Sequence, residues 1–252
     1  MNMKTLSRIF RQNAQTSIII LALIVIWLIF TILAAVMKDV NFLSPQNISN
    51  LFRQMTVTAI MATGMVFVIV TGGIDLSVGK LAGFVSTVVA YNQAYRFTDN
   101  PAVAAITSII IGLAVGALWG AFQGYIISYL RVPAFIVTLG SMFILGGLTL
   151  LQTEGQTITA TQRYFHEIGQ GYLDPILGWL LAAIVTAAIF FLMFRDRRNK
   201  QKYGFPLPAL QTDIIKSTFF AGLMWLYVYV VNQYNGVQVP VLILGIVAVI
   251  SL

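Results

Sequence analysis

The chain has 252 residues, of which 58% are hydrophobic and only 9% carry a charged side chain. A soluble domain typically carries about a quarter charged residues, because water must solvate its surface. The sequence therefore predicts a single all-α domain over residues 1–252, a bundle of membrane-spanning helices that each need about 20 apolar residues to cross the bilayer. The chain has no cysteine, which excludes disulfides, thiolate metal sites and cysteine nucleophiles.

The first uncharged run covers residues 18–37 and follows Lys4, Arg8 and Arg11. A cleaved signal peptide is the alternative, and Ala34 with Ala35 would suit a small-residue cleavage site. The apolar part of a signal peptide usually has about 7–15 residues, which is shorter than this run. We therefore expect a retained first span.

A short amphipathic segment, 41–54, comes next and predicts a helix lying at the outer surface, started by Ser44 with Pro45 at its first position. Further spans are predicted at 55–70, 74–95, 102–130, 132–151, 175–194, 217–231 and from 237 onward. The bundle would thus have about seven full spans and a partial eighth.

The basic residues indicate the orientation, because cytoplasmic loops carry an excess of lysine and arginine. With a cytoplasmic N-terminus, eleven of the 15 basic residues face the cytoplasm, including Lys80, Arg131 and those of the run 195–202. Four face outward, namely Lys38, Arg53, Arg96 and Arg163. The net charge of +7 is therefore interpreted as an orientation signal and a contact with lipid headgroups, not as a nucleic-acid surface.

Four glycines recur at every fourth position within the predicted span 102–130, namely Gly112, Gly116, Gly120 and Gly124. At 3.6 residues per turn they form a groove along one helix face, which lets a neighbouring backbone approach closely. The spacing predicts helix packing, against either another helix of this chain or a second subunit.

The segment 71–80 interrupts two apolar runs with three glycines and one acid. It fails as a P-loop, because five residues separate Gly73 from Gly79 and Leu81 follows Lys80. An acid near the membrane is a candidate functional residue, since it must be hydrated or paired. Asp75 is predicted either to cap the next helix, with Ser77 helping to satisfy first-turn amides, or to contact a permeating solute. Gly72, Gly73, Asp75 and Ser77 are therefore the candidate residues of a substrate pathway.

The remaining polar segments indicate no chemistry. His166 lies in the polar loop 152–174 with only Glu167 and Asp174 near it, so a metal site is not expected. The segment 195–216 is predicted to be an inner loop, since Pro206 and Pro208 oppose a continuous helix. No arrangement of nucleophile, base and orienting acid is present in the pattern, so the chain is not expected to be an enzyme. A bundle of membrane spans without such an arrangement is also compatible with an ion-coupled secondary transporter.

Several segments carry a family resemblance. They are NFLS (41–44), NISNLFRQ (47–54), GMVFVI (64–69), IDLSVG (74–79), VPAFIVTL (132–139), IGQGYL (168–173) and NGVQVPVL (235–242). In this order and spacing they resemble the permeases of bacterial ABC importers for simple sugars, of the ribose and xylose type and closest to the xylose type.

The resemblance implies a permease that translocates xylose or another monosaccharide across the bacterial inner membrane as a multi-pass protein. It also implies a second permease subunit, as in a homodimer, two cytoplasmic ATPase subunits that bind ATP, a periplasmic sugar-binding protein and surrounding lipid. No cofactor is implied for this chain. Members of the family continue beyond the position of Leu252, so we expect a C-terminally truncated chain that lacks the region coupling to the ATPase.

Overall fold

The computed structural model describes residues 14–37, 41–96, 100–159 and 163–251. Within these ranges the chain is helical, with one isolated antiparallel bridge between Tyr172 and Gln238. The helices are α1 (Ala14–Val36), α2 (Pro45–Val70), α3 (Val78–Tyr91) with a π-helical extension (Asn92–Arg96), α4 (Pro101–Ser128), α5 (Ala134–Thr153), α6 (Arg163–Gln170), α7 (Pro175–Lys202), α8 (Leu210–Asn232) and α9 (Val239–Ile250). The predicted all-α class is confirmed for this part of the chain.

Six of the described helices, α1, α2, α4, α5, α7 and α8, are long and apolar enough to cross a membrane, and α9 is a shorter apolar helix. The predicted span 74–95 is not among the six, because residues 71–77 form a loop and α3 has 14 residues. The total number of spans and the cytoplasmic N-terminus stay predictions. Lys4, Arg8, Arg11 and Lys38, on which the orientation partly depends, lie outside the described residues.

Helix α2 begins as predicted but continues further than predicted. The Oγ atom of Ser44 accepts a hydrogen bond from the backbone N–H of Asn47 at 3.2 Å, and Pro45 takes the first helical position. The expected surface helix and the following span are one helix, so the predicted break near residue 54 is wrong. Residues 46–63 contain neither glycine nor proline, and the polar residues Ser49 and Thr56 are buried against other helices.

The predicted inner loop 195–216 is mostly helical. Helix α7 continues to Lys202 and α8 begins at Leu210, so only residues 203–209, which include both prolines, form the loop. Arg197 forms an ion pair with Asp213 and donates a hydrogen bond to the carbonyl of Pro208 at 3.1 Å. The end of α7 and the start of α8 are thereby held together, and the basic run 195–202 lies on α7.

Two groups of helices make up the bundle. In the first, α3 packs between α4 and α5; in the second, α2 packs against α8 and α9, and α7 packs against α8. Helix α6 contacts both α4 and α9 and so joins the two groups. The largest apolar cluster is small: Ala182, Val228, Val231 and Val237 are its buried members. Most large apolar side chains are exposed, as expected for helices surrounded by lipid.

Candidate functional site

The loop between α2 and α3 depends on two glycines. Gly72 has φ +72°, a left-handed conformation that favours glycine, and it turns the chain away from α2. The N–H of Gly73 donates to the carbonyl of Val68 at 3.0 Å. A Cβ atom at Gly73 would lie 3.2 Å from Val68 Cγ1, so little room for a side chain exists there. The two predicted pathway glycines therefore shape the backbone that presents Asp75.

Asp75 organises the start of α3. Its Oδ1 atom accepts hydrogen bonds from both the backbone N–H and the hydroxyl of Ser77, each at 2.7 Å. Ser77 occupies the N-cap position of α3, but its side chain makes no hydrogen bond to the first-turn amides. The expectation that Ser77 helps to satisfy those amides is therefore wrong. Its hydroxyl is used by Asp75 and by a neighbouring helix instead.

Two hydrogen bonds tie this loop to α4 and α5. Gln123 Nε2 donates to Ser77 Oγ at 2.8 Å. The Thr138 hydroxyl lies between two acceptors, the carbonyl of Ile74 at 3.1 Å and the carbonyl of Ala134, one turn before it on α5, at 2.9 Å. Ser77, Gln123 and Thr138 are all buried. Hydrogen bonds at such positions matter because a bilayer supplies no water to replace them. A continuous chain of donors and acceptors thus runs from α4 through Ser77 to Asp75.

Gln123 and Thr138 were not among the residues predicted from the sequence. A signal existed for Gln123, since it is the only side-chain amide within α4 and lies in an otherwise apolar span. Thr138 belongs to the segment 132–139 that carried the family resemblance, and Ile74 belongs to the segment 74–79. Two of the resembling segments therefore meet at this loop.

A second polar centre joins three other resembling segments. Gln238 Nε2 donates to the carbonyl of Ser49 at 2.8 Å and also to its hydroxyl, while Tyr227 donates to Gln238 Oε1 at 2.7 Å. The N–H of Leu173 donates to the carbonyl of Val237 at 2.8 Å, in the bridge between the two loops. The segments 47–54, 168–173 and 235–242 thus converge, at the ends of α2 and α9 where each helix begins.

Gly236 makes the bridge possible. It has φ +100°, and a Cβ atom there would lie 2.1 Å from the carbonyl oxygen of Leu173. Any other residue would both strain the backbone and collide with the partner loop. The glycine in the segment 235–242 therefore has a structural function.

The glycine series on α4 has unequal surroundings. Gly112 is buried, and a Cβ atom there would lie 2.8 Å from Val89 Cγ2 on α3. For Gly116, Gly120 and Gly124 no described atom lies within 4 Å of such a Cβ position, apart from those of the adjoining helix backbone. Helix α3 therefore packs closely at Gly112 only. The packing function of the whole groove stays a prediction.

His166 lies on the exposed helix α6. Next to it, Arg163 Nε donates to Glu167 Oε1 at 2.9 Å, and this hydrogen bond raises the pKa of Arg163 above its ordinary value. Among the described residues, no group of three or more histidine, cysteine or acidic side chains is placed to hold a metal ion.

The structure defines a multi-pass membrane protein in which buried polar contacts fasten loops to helices at both ends of the bundle. Residues 47–213 match the family described as branched-chain amino acid transport system / permease component. The match covers more than half of the chain, and the chain belongs to this family. The resemblance to a permease family that the sequence predicted is thereby confirmed, and the curated relatives include permeases of the xylose and ribose type.

Curated relatives extend the comparison. The xylose transport system permease protein XylH of Haemophilus influenzae is 35% identical over 240 residues, which cover 95% of this chain and 62% of the relative. XylH of Escherichia coli K12 is 35% identical over 232 residues, 92% of this chain and 57% of the relative. The ribose import permease protein RbsC of Haemophilus influenzae is 34% identical over 169 residues, 64% of this chain and 50% of the relative.

The chain thus spans between half and two thirds of the length of these relatives. No solved structure matches the chain.

Proposed function

We propose that this chain is the permease subunit of an ABC importer that moves xylose or another simple sugar across the bacterial inner membrane. The alignment with XylH at 35% identity over 95% of the chain carries this proposal. Supporting it, the segments of the family resemblance meet in the structure at two polar centres, although they are far apart in sequence.

In this proposal, other subunits of the importer bind ATP and this chain does not. The segment 71–80 lacks P-loop spacing, and its residues 71–77 form a loop between two helices of the bundle. Two cytoplasmic ATPase subunits would bind ATP, a periplasmic protein would deliver the sugar, and a second permease, as in a homodimer, would complete the pathway. The chain itself would hold no cofactor and catalyse no reaction.

Within the pathway we assign the sugar contact to the loop around Asp75. Both hydrogen bonds that Asp75 makes to described residues use Oδ1, so Oδ2 is the atom proposed to accept a bond from a sugar hydroxyl. Ser77 would position this carboxylate, while Gly72 and Gly73 would allow the loop its shape. A charge-assisted hydrogen bond of this kind is stronger than one between neutral groups.

Uptake of radiolabelled xylose tests the proposed function. To test the whole transporter, the chain would be expressed joined to the part of XylH that its alignment does not cover. The ATPase and binding-protein subunits would be supplied with it, in cells that lack their own xylose transporters. We expect uptake that stops when ATP is depleted, or when vanadate blocks the ATPase, and that continues when a protonophore collapses the proton gradient. Uptake abolished by the protonophore alone at normal ATP levels would instead show an ion-coupled transporter.

A pair of variants tests the assignment of Asp75. Asp75→Asn keeps an oxygen that can hold Ser77 but removes the charge, so we expect the KM for xylose uptake to rise about tenfold. That change corresponds to about 1.4 kcal/mol. Asp174→Asn is the matched control, because Asp174 caps α7 at an exposed position and asparagine caps equally well. Equal kinetics in both variants would remove Asp75 from the pathway.

A further inference from the structure

Lys80 lies in a groove between α3 and α5. It belongs to the first turn of α3, and its Cδ and Cε atoms lie 3.9 Å from the position that a Cβ atom at Gly146 would occupy. The groove has a volume of ≈ 560 Å³, and residues that line it include Gly79, Gly83, Phe143 and Thr149. The glycines leave this space open, because side chains at their positions would fill it.

The position of Lys80 along the bundle follows from its neighbours. Gly146 comes twelve positions after Ala134, where α5 begins, which is about 18 Å at 1.5 Å per residue. On α4, the contacts of Ser77 with Gln123 and of Val89 with Gly112 show that α3 and α4 run antiparallel.

That register puts Lys80 near the level of Gly120, eight positions and about 12 Å before Ser128. Lys80 therefore lies well inside the span formed by α4 and α5, not in a connecting loop at its edge.

No acid in the described part of the chain neutralises this ammonium group. The ion pairs among the described residues join Arg163 to Glu167, Arg197 to Asp213 and Lys200 to Asp196. A charged side chain inside a membrane is costly unless it is paired or faces a water-filled cavity. Because Lys80 is exposed in the groove, water that fills the groove would solvate its ammonium group.

The chemistry of the groove suits a sugar. Lysine presents three N–H donors and no acceptor, which match the hydroxyl and ring oxygens of a monosaccharide. The volume falls within the range of about 300–1,000 Å³ that is usual for small-molecule sites. Asp75, which accepts hydrogen bonds, precedes Lys80 by five residues, so acceptor and donor are presented from one continuous stretch of chain.

We propose that the groove between α3 and α5 is a water-filled part of the sugar pathway and that Lys80 donates a hydrogen bond to the sugar as it passes. This inference rests on the proposed function. It adds Lys80 as a binding residue, whereas the sequence analysis used Lys80 only to predict the orientation in the membrane. Lys80 holds the sugar without exchanging a proton or forming a covalent bond.

The absence of cysteine from the chain permits a direct test. In the assembled importer, Lys80→Cys is treated with the membrane-impermeant reagent 2-sulfonatoethyl methanethiosulfonate, which reacts with thiolates in contact with water. The control is Ile144→Cys, because Ile144 is 52% exposed and lies two positions, or about 3 Å, from Gly146 along α5. We expect Lys80→Cys to react at least tenfold faster, and saturating xylose to slow its reaction at least threefold.

Two results would overturn the inference. Equal, slow reaction of both cysteines would place Lys80 against lipid. Fast reaction of Lys80→Cys that neither xylose nor ribose slows would show a hydrated groove through which no pentose passes. Uptake of xylose by the unsubstituted chain is measured in parallel. If that chain imports xylose while the cysteine at position 80 is unreactive, the inference about Lys80 fails and the proposed function stands.

A kinetic comparison gives an independent measurement. Lys80→Met keeps the length of the side chain and removes its charge and donors, whereas Lys80→Arg keeps both. We expect the KM for uptake to rise at least fivefold in Lys80→Met and less than twofold in Lys80→Arg. A Lys80→Met variant with unchanged KM contradicts the proposed contact.

Discussion

Gln238 and Ser49 are joined by two hydrogen bonds although 189 residues separate them. The side-chain amide of Gln238 donates to the carbonyl of Ser49 at 2.8 Å and to its hydroxyl, and both residues are fully buried. The contact fastens the start of α9 to the start of α2. Where no water is present, the polar groups of Ser49 and Gln238 have no other hydrogen-bond partner, so loss of this contact leaves them unpaired.

Replacement of Gln238 tests the strength of this attachment. Gln238→Leu removes both donors to Ser49 and the acceptor for the Tyr227 hydroxyl, and unpaired buried polar groups cost about 1–3 kcal/mol each. We expect the free energy of unfolding to fall by about 3 kcal/mol. Thermal denaturation of the detergent-solubilised protein would show this as a lower Tm.

Gln233→Leu serves as the control for that variant, because Gln233 is exposed at the end of α8. A change of less than about 0.5 kcal/mol is expected there. If both variants were equally stable, the hydrogen bonds of Gln238 would contribute nothing to the attachment of α9.

Thr138 offers a test of the loop between α2 and α3. Thr138→Val keeps the side-chain volume but removes the hydroxyl that reaches the carbonyl of Ile74 at 3.1 Å. We expect the protein to lose about 1 kcal/mol of stability. Amide hydrogen exchange in residues 71–77 should become faster, because the loop loses its tie to α5.

Thr149→Val is the matched control on the same helix, since the Thr149 hydroxyl bonds only to the carbonyl of Leu145 one turn before it. It should leave hydrogen exchange in the loop unchanged. A loop that exchanges equally fast in both variants would show that Thr138 does not hold it.

Local patterns in the sequence predicted the parts of the fold that depend on neighbours along the chain. Ser44 followed by Pro45 marked the start of α2, and apolar length marked most of the spans. The continuation of α2 was missed, because the polar residues of 46–54 suggested a surface helix. Ser49 and Thr56 are in fact covered by other helices, and that burial depends on tertiary packing.

The candidate site was predictable only in part, for the same reason. Asp75 and Ser77 were found because an acid and glycines interrupt apolar runs, which is a local signal. Gln123 contacts Ser77 across 46 residues, and no periodicity in the sequence encodes such a pairing. Lys80 was assigned to the cytoplasmic side, because charge alone does not show how deep in the bundle α3 begins.

The glycine series on α4 predicts opposite effects at two neighbouring positions. Gly112→Ala would place a Cβ atom 2.8 Å from Val89 Cγ2, and the stiff, buried valine has little freedom to move away. We expect a loss of about 1–2 kcal/mol in stability. Gly116→Ala meets no described atom within 4 Å, so it should stabilise α4 by up to about 1 kcal/mol through helix propensity.

Chemical denaturation of both variants in detergent distinguishes these effects. A stabilised Gly112→Ala would mean that α3 does not pack at this position. The glycine groove on α4 was predicted to pack against either another helix of this chain or a second subunit. Gly120→Leu tests the second of these alternatives for the open part of that groove. It should lower sugar uptake without lowering the stability of the isolated chain. Normal uptake in that variant would indicate that the glycine groove on α4 faces lipid.

Gln93 provides a prediction in which a substitution raises stability. The residue lies in the π-helical extension of α3, is 1% exposed, and neither of its amide atoms has a hydrogen-bond partner among the described residues. Replacing such a group by an apolar side chain of similar length removes the desolvation cost of about 1–3 kcal/mol. Gln93→Met should therefore unfold at a higher temperature than the unsubstituted chain.

The control is Gln170→Met, because Gln170 is exposed at the end of α6 and should leave the Tm unchanged. π-Helical segments are frequent at functional sites, so uptake measured on the same variants has a clear expectation. We expect Gln93→Met to import sugar more slowly although it is more stable, because the variant loses an amide that is free to form hydrogen bonds in another state of the transport cycle. A lower Tm for Gln93→Met would show instead that the amide is paired within the folded protein.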